Sequence, residues 1–323
     1  MGILDLDHAS DQNPIRQIID LVQRVEDLER RSPTGMFDWG ASGAGTSGTI
    51  MNNPGHLNAP AARDFRLGNH PMTFSRVVSL FTAMPNVIAV WPMAGMRRDS
   101  ATNQGRDASG AGNHLTNLAS STFGLDNYTP YVEFNGSTQS LYRADGGAAN
   151  WADVIGTEAH VVSTVRGLTF GCWCNFDGLT GASQYPMSKT YPVNGYRTYA
   201  WYRNDARVGY FQVSSNGTAL TAVNTGSDTI ADNAWRFVVC RFEPSTTMSL
   251  FVSGNWYHNT TSIPASTFDS SCPFTIGSHW YNVSYPGGWM DGKISLAFLC
   301  AAALSNDQIT ALYQHSRWMY DDV

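Results

Sequence analysis

The chain has 323 residues, a formal net charge of −6 and an isoelectric point near 5.7. Nucleic-acid binding needs a net basic face, so this charge argues against a nucleic-acid partner. No run of about 20 apolar residues occurs, and we therefore expect no membrane insertion. Aromatic residues reach 12% and charged residues only 14% of the chain. Because Glu and Lys, on which helix surfaces depend, are rare, the composition predicts a mainly β protein.

The N-terminal segment, residues 1–32, carries a helical pattern over 15–31. Apolar side chains fill the a and d positions of two heptads, namely Ile18, Leu21, Val25 and Leu28. A helix this short is marginal alone in water, so we predict a coiled coil that joins copies of the chain. A widened apolar stripe favours a homotrimer, whereas β-branched residues at a with Leu at d favour a homodimer. Packing of this helix on its own globular domain is the alternative.

Residues 33–84 form a connector arm rich in Gly, Ser and Asn. Its aromatic anchors are isolated from one another, namely Phe37, Trp39 and Phe65. A compact domain seldom leaves so long a segment unstructured, so the arm is either mobile or lies along a neighbour. The aromatic anchors favour an arm that lies along a neighbour. The sequence pattern of residues 73–84 predicts a short strand or helix that leads into the main domain.

Residues 85–323 form a succession of short strands separated by turn residues. The clearest strands are 87–91, 131–134, 168–176, 197–202, 207–213, 236–242, 249–252, 274–276 and 293–300. Turn dipeptides such as Asn135-Gly136 and Asp291-Gly292 stand beside them. Because no helical pattern alternates with these strands, we predict an all-β fold, an antiparallel jelly-roll β-sandwich.

A short amphipathic helix over 305–315 is expected to close this domain. Ser305 is placed to cap it, and the residues predicted to face the sheet are Ile309, Leu312 and Tyr313. The five cysteines stand in apolar or strand-like contexts, with Cys172 and Cys174 on one face of a strand. We expect them to be small buried side chains in a reduced protein.

Nine segments of the domain stand in the order of a known family. They are 87–93, 106–114, 131–136, 168–174, 187–189, 233–239, 250–254, 290–295 and 303–313. Together they resemble a laminin-G-like domain, a member of the concanavalin A-like lectin/glucanase superfamily, across residues 87–315. Each segment alone is weak evidence for the family, but nine segments in the family's order make the resemblance specific. The resemblance implies a lectin-like sandwich that binds and does not catalyse.

The sequence departs from this family where the resemblance implies calcium. The family's acidic turn is replaced by residues 135–140, and the acidic residue after the Gly-Lys-Ile segment is replaced by Ser295. Calcium prefers several carboxylates among six to eight oxygen ligands, so these changes argue against the site. Asp107 and Asn113 remain as candidate calcium ligands. The alternative is that Asp107 organises its Gly-rich turn.

The sequence predicts no enzymatic activity. Glucanases of this shape need two Glu and an Asp at alternating positions of one strand, and the three Glu after residue 130 are isolated from such partners. Neither a nucleophile elbow nor a phosphate-binding loop occurs.

Two predicted loops carry the aromatic residues expected to bind carbohydrate. In the loop over 278–289 these are His279, Trp280, Tyr281, Tyr285 and Trp289, and in the loop over 179–196 they are Tyr191 and Tyr196. Aromatic faces stack on sugar rings, while polar side chains bond the sugar hydroxyls. The alternative is that these aromatics are buried under their own loops or against a neighbouring subunit.

An oligomerising helix, an arm with aromatic anchors and a lectin-like sandwich together are typical of bacteriophage virion appendages. The first residues also lack the basic region and apolar stretch of a secretion signal. We predict a tail fibre, spike or head fibre, assembled in the host cytoplasm and located in the virion. Its N-terminal region would contact other virion proteins, and its sandwich would bind host surface polysaccharide. The alternatives are a purely structural virion protein, with the sandwich used for assembly contacts, and a non-viral carbohydrate-binding adhesin.

Removal of residues 1–32 tests the coiled-coil prediction. We expect the full chain to sediment as an oligomer and the truncated chain to sediment at a lower mass, because the a and d side chains would lose their partners. An unchanged mass would show that this helix does not join the chains.

Overall fold

The structure is a computed structural model that describes residues 73–94, 104–126, 129–145, 167–191, 195–280 and 286–320. The chain divides into two units, Met1–Leu80 and Phe81–Val323, and the sandwich lies in the second. The predicted oligomerisation residues, Ile18, Leu21, Val25 and Leu28, lie outside the described residues. Among the residues that are described, no helix is both long and apolar enough to span a bilayer.

Two helices, a short 3-10 helix and eighteen strands are described. In chain order they are α1 (Phe74–Thr82), β1 (Val87–Trp91), β2 (Gln104–Gly105), β3 (Leu115–Leu118), β4 (Thr122–Asp126), β5 (Thr129–Asn135), β6 (Ser140–Arg143), β7 (Leu168–Phe176), β8 (Gln184–Tyr191), β9 (Tyr196–Arg203), β10 (Val208–Gly217), β11 (Thr221–Thr229), β12 (Arg236–Glu243), β13 (Thr247–Val252), β14 (Asn255–Asn259), β15 (Phe274–Ile276), β16 (His279–Trp280), β17 (Pro286–Gly287), β18 (Asp291–Cys300), α2 (Asn306–Ser316) and the 3-10 helix η1 (Arg317–Met319).

The strands form two large sheets and one small hairpin. The first sheet has the order β14-β13-β12-β7-β18-β5-β4, and β1 also pairs with β18. The second sheet has the order β11-β10-β9-β8-β15-β6-β3-β2, and β16 pairs with β17. The named strands all pair antiparallel. The predicted antiparallel β-sandwich is therefore confirmed.

The core lies between the two sheets and follows the alternation of side chains along each strand. On β7 the inward positions are Leu168, Phe170, Cys172, Cys174 and Phe176. The second sheet contributes inward aromatic side chains from β9, β10 and β15, namely Tyr199, Trp201, Phe211 and Phe274. All five cysteines are buried and none forms a disulfide, as the sequence predicted.

The first sheet is covered on its outer face as well. The outward Trp173 of β7 stacks on Tyr320, with ring centroids 4.0 Å apart and planes 13° apart. Its indole N–H donates to the Ser316 hydroxyl at the end of α2, over 2.9 Å. The Tyr320 hydroxyl in turn lies 2.8 Å from the Ser295 hydroxyl of β18. The C-terminal segment is therefore fixed to the two central strands.

A bulge in β18 lets the same face receive a second aromatic contact. The pairing of β18 with β7 shifts between Ser295 and Phe298, and Leu296 between them has a φ of 44°. A bulge of this kind resets the alternation of side chains, so both Ser295 and Phe298 point to the outer face. Phe298 there packs against Phe81 of α1, with centroids 5.2 Å apart.

The prediction of a loop over residues 179–196 is wrong, because β8 (Gln184–Tyr191) occupies the middle of this segment. The strand pattern is hidden by Lys189, a side chain that is fully buried. Its ammonium donates to the carbonyls of Ser270 and Cys272 over 2.7 and 2.8 Å and lies 3.6 Å from the Asp145 carboxylate. Burial of a charge is tolerated only with such partners, and these come from distant parts of the sequence.

Other predicted elements differ in detail. The loop over 278–289 contains the hairpin β16–β17, and Asp291-Gly292 opens β18 instead of forming a turn. The helix predicted over 305–315 is α2, and the Ser305 hydroxyl accepts a hydrogen bond from the Gln308 N–H as its N-cap. Its expected sheet-facing residues are confirmed, since Ile309 and Leu312 are buried and Tyr313 stacks on Trp173.

Replacement of Tyr320 by Ala tests the cover of the first sheet. Loss of this buried ring leaves a cavity over Trp173, so we expect the free energy of unfolding to fall by about 3–5 kcal/mol in denaturant titration. Tyr320→Phe is the control, because it keeps the stacked ring and loses only the hydrogen bond to Ser295, worth about 1 kcal/mol. Equal losses in both variants would contradict a packing role for the ring.

Candidate functional site

The predicted aromatic segment around Trp280 lies on the outer face of the second sheet. The β16–β17 hairpin runs beside β8, where the Tyr185 N–H donates to the Gly288 carbonyl over 3.1 Å. The Gly277 N–H donates to the Pro186 carbonyl over 2.9 Å. These two hydrogen bonds flank Tyr185, so the position of the hairpin and that of the Tyr185 ring are linked.

Four rings form a continuous line across neighbouring strands, which we call the aromatic row: Tyr210 on β10, Tyr202 on β9, Tyr185 on β8 and His279 on β16. The centroids of successive rings are 5.0, 4.9 and 4.5 Å apart. The first two ring pairs are stacked, with planes 6° and 25° apart, while His279 meets Tyr185 edge-on at 74°. The three Tyr side chains are half-buried and His279 is buried.

The row follows from strand register. Trp201 and Phe211 point into the core, so the neighbouring Tyr202 and Tyr210 point outward. Tyr202 and Tyr210 are also direct cross-strand partners. Side chains opposite each other on antiparallel strands have Cβ atoms about 4.5–5.5 Å apart, which is the distance at which aromatic rings stack.

Tyr185 and Tyr202 of the row are neutral hydrogen-bonding groups. Burial, with a contribution from Tyr202, holds the pKa of Tyr185 well above its ordinary value. Burial, with a contribution from Tyr210, raises the pKa of Tyr202. Both phenols therefore keep their protons near neutral pH, and each offers one donor and one acceptor.

Further aromatic and amide groups lie next to the row. Trp280 of the hairpin packs against Tyr142 of β6, with centroids 5.7 Å apart. Asn224, an exposed side chain on β11, is the cross-strand partner of Tyr210. The surface thus combines aromatic rings, phenol hydroxyls and an amide.

The predicted carbohydrate-binding residues do not all come together. Tyr191 and Tyr196 pair with each other at the far end of β8 and β9, with centroids 5.6 Å apart. Tyr191 is six residues from Tyr185 along β8, which is roughly 20 Å of strand. Tyr191 is buried and Tyr196 is exposed.

The other predicted residues belong to the hairpin region. His279 and Trp280 lie at the row, and Trp289 is half-buried just beyond β17. Tyr281 and Tyr285 lie outside the described residues. Sequence analysis missed Tyr202 and Tyr210. The signal that could have identified them is a Tyr directly beside an inward Trp or Phe on each of two neighbouring strands.

The Asp107 carboxylate is used within its own turn. One oxygen accepts from the Val90 N–H at 3.0 Å and the Ser109 N–H at 2.8 Å. The other accepts from the Ser109 hydroxyl at 2.8 Å and the Asn113 N–H at 2.9 Å. These donors occupy the lone pairs that a cation would need, so the geometry favours the turn-organising role over a calcium ligand. Asn113 contributes its side-chain amide to the Ile88 carbonyl, over 2.8 Å.

Among the described residues, no group of three or more His, Cys, Asp or Glu is arranged to hold a metal ion. Asp177 and Asp291 are neighbours, since the Asp177 N–H donates to the Asp291 carbonyl over 3.1 Å. Partial burial, and then the charge of Asp177, raise the pKa of the Asp291 carboxyl.

The match to a family model covers residues 145–310, which are 166 of the 323 residues. That model is laminin G-like and describes the concanavalin A-like lectin/glucanases superfamily. The chain belongs to this superfamily. The matched region includes β8, β9, β10 and the β16–β17 hairpin, and therefore the whole aromatic row. No curated protein is similar enough to this sequence to count as a match.

Solved structures with the same fold include two botulinum neurotoxin structures. One is of botulinum neurotoxin type C and concerns its interaction with two ganglioside molecules; it has 10% sequence identity and a TM-score of 0.51, covering 75% of this chain and 52% of that one. The other is the receptor-binding domain of the C/D mosaic serotype, with 10% identity and a TM-score of 0.51, covering 72% and 51%. This chain thus spans about half the length of each. At such low identity the likeness shows the fold alone.

Asp107→Asn tests the role of the Asp107 turn. The amide NH₂ group that replaces one carboxylate oxygen cannot accept the hydrogen bonds from the Ser109 hydroxyl and the Asn113 N–H. We therefore expect the free energy of unfolding to fall by about 1.5–3 kcal/mol. Asp205→Asn, in an exposed turn, is the control and should change little. Thermal unfolding of the unaltered chain should be the same with calcium and with a chelator. A melting temperature that rises with calcium would instead identify a bound ion.

Proposed function

We propose that the sandwich binds glycans through the outer face of its second sheet. The observation that carries this proposal is the aromatic row, a line of half-buried rings on the face of a lectin-like fold. A monomer normally buries such rings or spreads them singly, and a contiguous exposed aromatic surface marks a binding site.

The chemistry of the row fits a sugar ring. Sugars present apolar C–H faces and many hydroxyl groups. Phenol rings supply an apolar surface that packs on the C–H faces. Phenol hydroxyls can donate hydrogen bonds to the sugar hydroxyls or accept hydrogen bonds from them. Tyr185, Tyr202 and Tyr210 provide both. Asn224 adds an amide group with two N–H donors, while its oxygen accepts from the Gly226 N–H over 2.8 Å. The row carries no carboxylate, so it would not repel an acidic polysaccharide.

The wider proposal is a bacteriophage virion appendage, such as a tail fibre, spike or head fibre. It rests on the sequence, namely the heptads over 15–31 and the aromatic anchors of the connector arm. A homotrimer would present three sandwiches to one host surface, and avidity would strengthen weak individual contacts. In this proposal the protein binds host polysaccharide without cleaving it and is located in the virion.

The same face could serve a purely structural virion protein, with the row packed against a neighbouring subunit. Aromatic residues are also enriched in protein–protein interfaces. The two functions differ in a measurable way, because only the first predicts binding of the free oligomer to sugars.

Tyr202→Ala is the central test, in the full chain, on a glycan array and on immobilised host polysaccharide. We expect binding about tenfold weaker, or about 1.4 kcal/mol, since the variant removes the middle ring. Tyr196→Ala is the matched control, a Tyr on the same strand at the opposite end, and it should bind normally.

Three outcomes would contradict the proposal. A folded oligomer that binds no glycan would favour the structural virion protein. A larger loss in Tyr196→Ala than in Tyr202→Ala would place the site at the far end of β8 and β9. Shortened glycan products, lost in Asp291→Asn, would show an enzyme that uses the Asp177–Asp291 pair.

A further inference from the structure

Gln212 of β10 is a deeply buried side chain on the outer face of the second sheet. Phe211 and Val213, its neighbours in the chain, point into the core, so Gln212 points outward on the same face as Tyr210. It is 8% exposed, whereas Gln side chains mostly lie open to solvent. A polar side chain enclosed to this degree normally hydrogen-bonds within the protein.

The neighbours of Gln212 offer its amide no such partner. The residues directly opposite it on β9 and β11 are Ala200 and Ala222, whose side chains have no polar atom. Within the part of the chain that the structure describes, the Gln212 amide neither donates nor accepts a hydrogen bond. The fully enclosed side-chain atoms without a partner there include Trp201 Nε1 and Thr198 Oγ1 but no atom of Gln212. The amide is therefore the end of the side chain that reaches the surface, and its hydrogen bonds go to water or to a ligand.

The other hydroxyl groups on the same line of cross-strand partners are already used. This line crosses β10, β9, β8 and β15 at Gln212, Ala200, Ser188 and Thr275. The Ser188 and Thr275 hydroxyls lie 2.8 Å apart, and they donate to the Ser278 carbonyl over 3.0 and 2.6 Å. Of the four side chains on this line, Gln212 is thus the one that keeps its polar group for an outside partner.

The Gln212 amide lies beside the aromatic row. Tyr210 is two residues away on the same strand and the same face. Tyr202, the cross-strand partner of Tyr210, is a diagonal neighbour of Gln212. Diagonal neighbours on antiparallel strands are about 7–8 Å apart, which is within the reach of long side chains. A ligand held at the two phenols is therefore also next to the Gln212 amide.

Both ends of the Gln212 amide are available to such a ligand. Its oxygen accepts hydrogen bonds and its NH₂ group donates them, side by side in one plane. Asn224, the other amide next to the row, presents only its donors, because its oxygen accepts from the Gly226 N–H over 2.8 Å. Two adjacent hydroxyl groups of a sugar ring match the Gln212 amide, one donating to its oxygen and the other accepting from its nitrogen. A ring without either hydroxyl would leave one end of the amide unpaired, and a site built in this way discriminates against such a ring.

We infer that Gln212 is the specificity-determining residue of the aromatic row, and that its amide selects sugar rings with two adjacent free hydroxyl groups. The tyrosine rings supply the surface on which a sugar packs, and Gln212 distinguishes one sugar from another by its hydroxyls. This inference rests on the proposed glycan-binding function.

The first experiment measures stability without a ligand. Gln212→Met keeps the length and the approximate volume of the side chain and removes the amide. We expect the free energy of unfolding in denaturant titration to be unchanged or higher, because no hydrogen bond within the protein is lost. A clear fall would show that the amide is bonded within the protein, and would overturn the inference.

The second experiment measures binding of the full chain to the glycan that the array selects and to its monodeoxy analogues. Two analogues, deoxygenated at adjacent positions of one ring, should bind the unaltered chain about tenfold more weakly. Gln212→Met should bind the parent glycan at least as weakly as these analogues. In this variant, deoxygenation at the same two positions should have no further effect, because the group that distinguishes them is gone.

Gln314→Met is the matched control, the same substitution at an exposed residue of α2, which covers the first sheet. It should bind every analogue as the unaltered chain does. Unchanged discrimination in Gln212→Met, with binding lost in Tyr202→Ala, would overturn the role of Gln212 and leave the proposed function intact. Discrimination at a single hydroxyl, or at two that are not adjacent, would contradict selection of an adjacent pair. A folded oligomer that binds no glycan would contradict the proposed function and this inference together.

Discussion

The stacking of Trp173 against Tyr320 fixes the C-terminal segment on the outer face of the first sheet. It brings the C-terminal segment over β7 and β18, and the Ser295 and Ser316 hydroxyls hold the two rings in place. The centre of the first sheet is thereby covered on both faces, by the second sheet inside and by Phe81, Tyr313 and Tyr320 outside. An open face with half-buried aromatic rings is left on the second sheet.

The open face is organised by register. Because side chains alternate with a period of two, a slip of one residue between β9 and β10 would turn Tyr202 or Tyr210 into the core and bring Trp201 or Phe211 to the surface. The large inward aromatics oppose such a slip, since their burial contributes much of the stability of the sheet. The same residues that stabilise the core therefore place the rings of the aromatic row, and His279 of the hairpin lies at the end of that row.

Membership in the concanavalin A-like superfamily describes the scaffold, and the features of the proposed site belong to this chain. The loop in which the family resemblance implied calcium is closed here by hydrogen bonds to Asp107, so recognition would depend on side chains alone. Tyrosines suit this task because their rings are rigid and their hydroxyls both donate and accept. In the proposal the tyrosine row is a glycan-binding surface on the outer face of the second sheet.

Sequence alone determined the class of fold, because that depends on local patterns. Alternating apolar residues located β7 and β15 at their true bounds, and Ser305 with Ile309 and Leu312 located the closing helix. It also predicted His279 and Trp280 as binding residues from the density of aromatic residues in one segment, and both lie at the aromatic row. It could not show β8, whose buried Lys189 depends on carbonyls about 80 residues away, nor separate Tyr191 and Tyr196 from the row. Tyr185, Tyr202 and Tyr210 become one surface only when three strands pair in register, and long-range pairing is the information that only the tertiary structure carries.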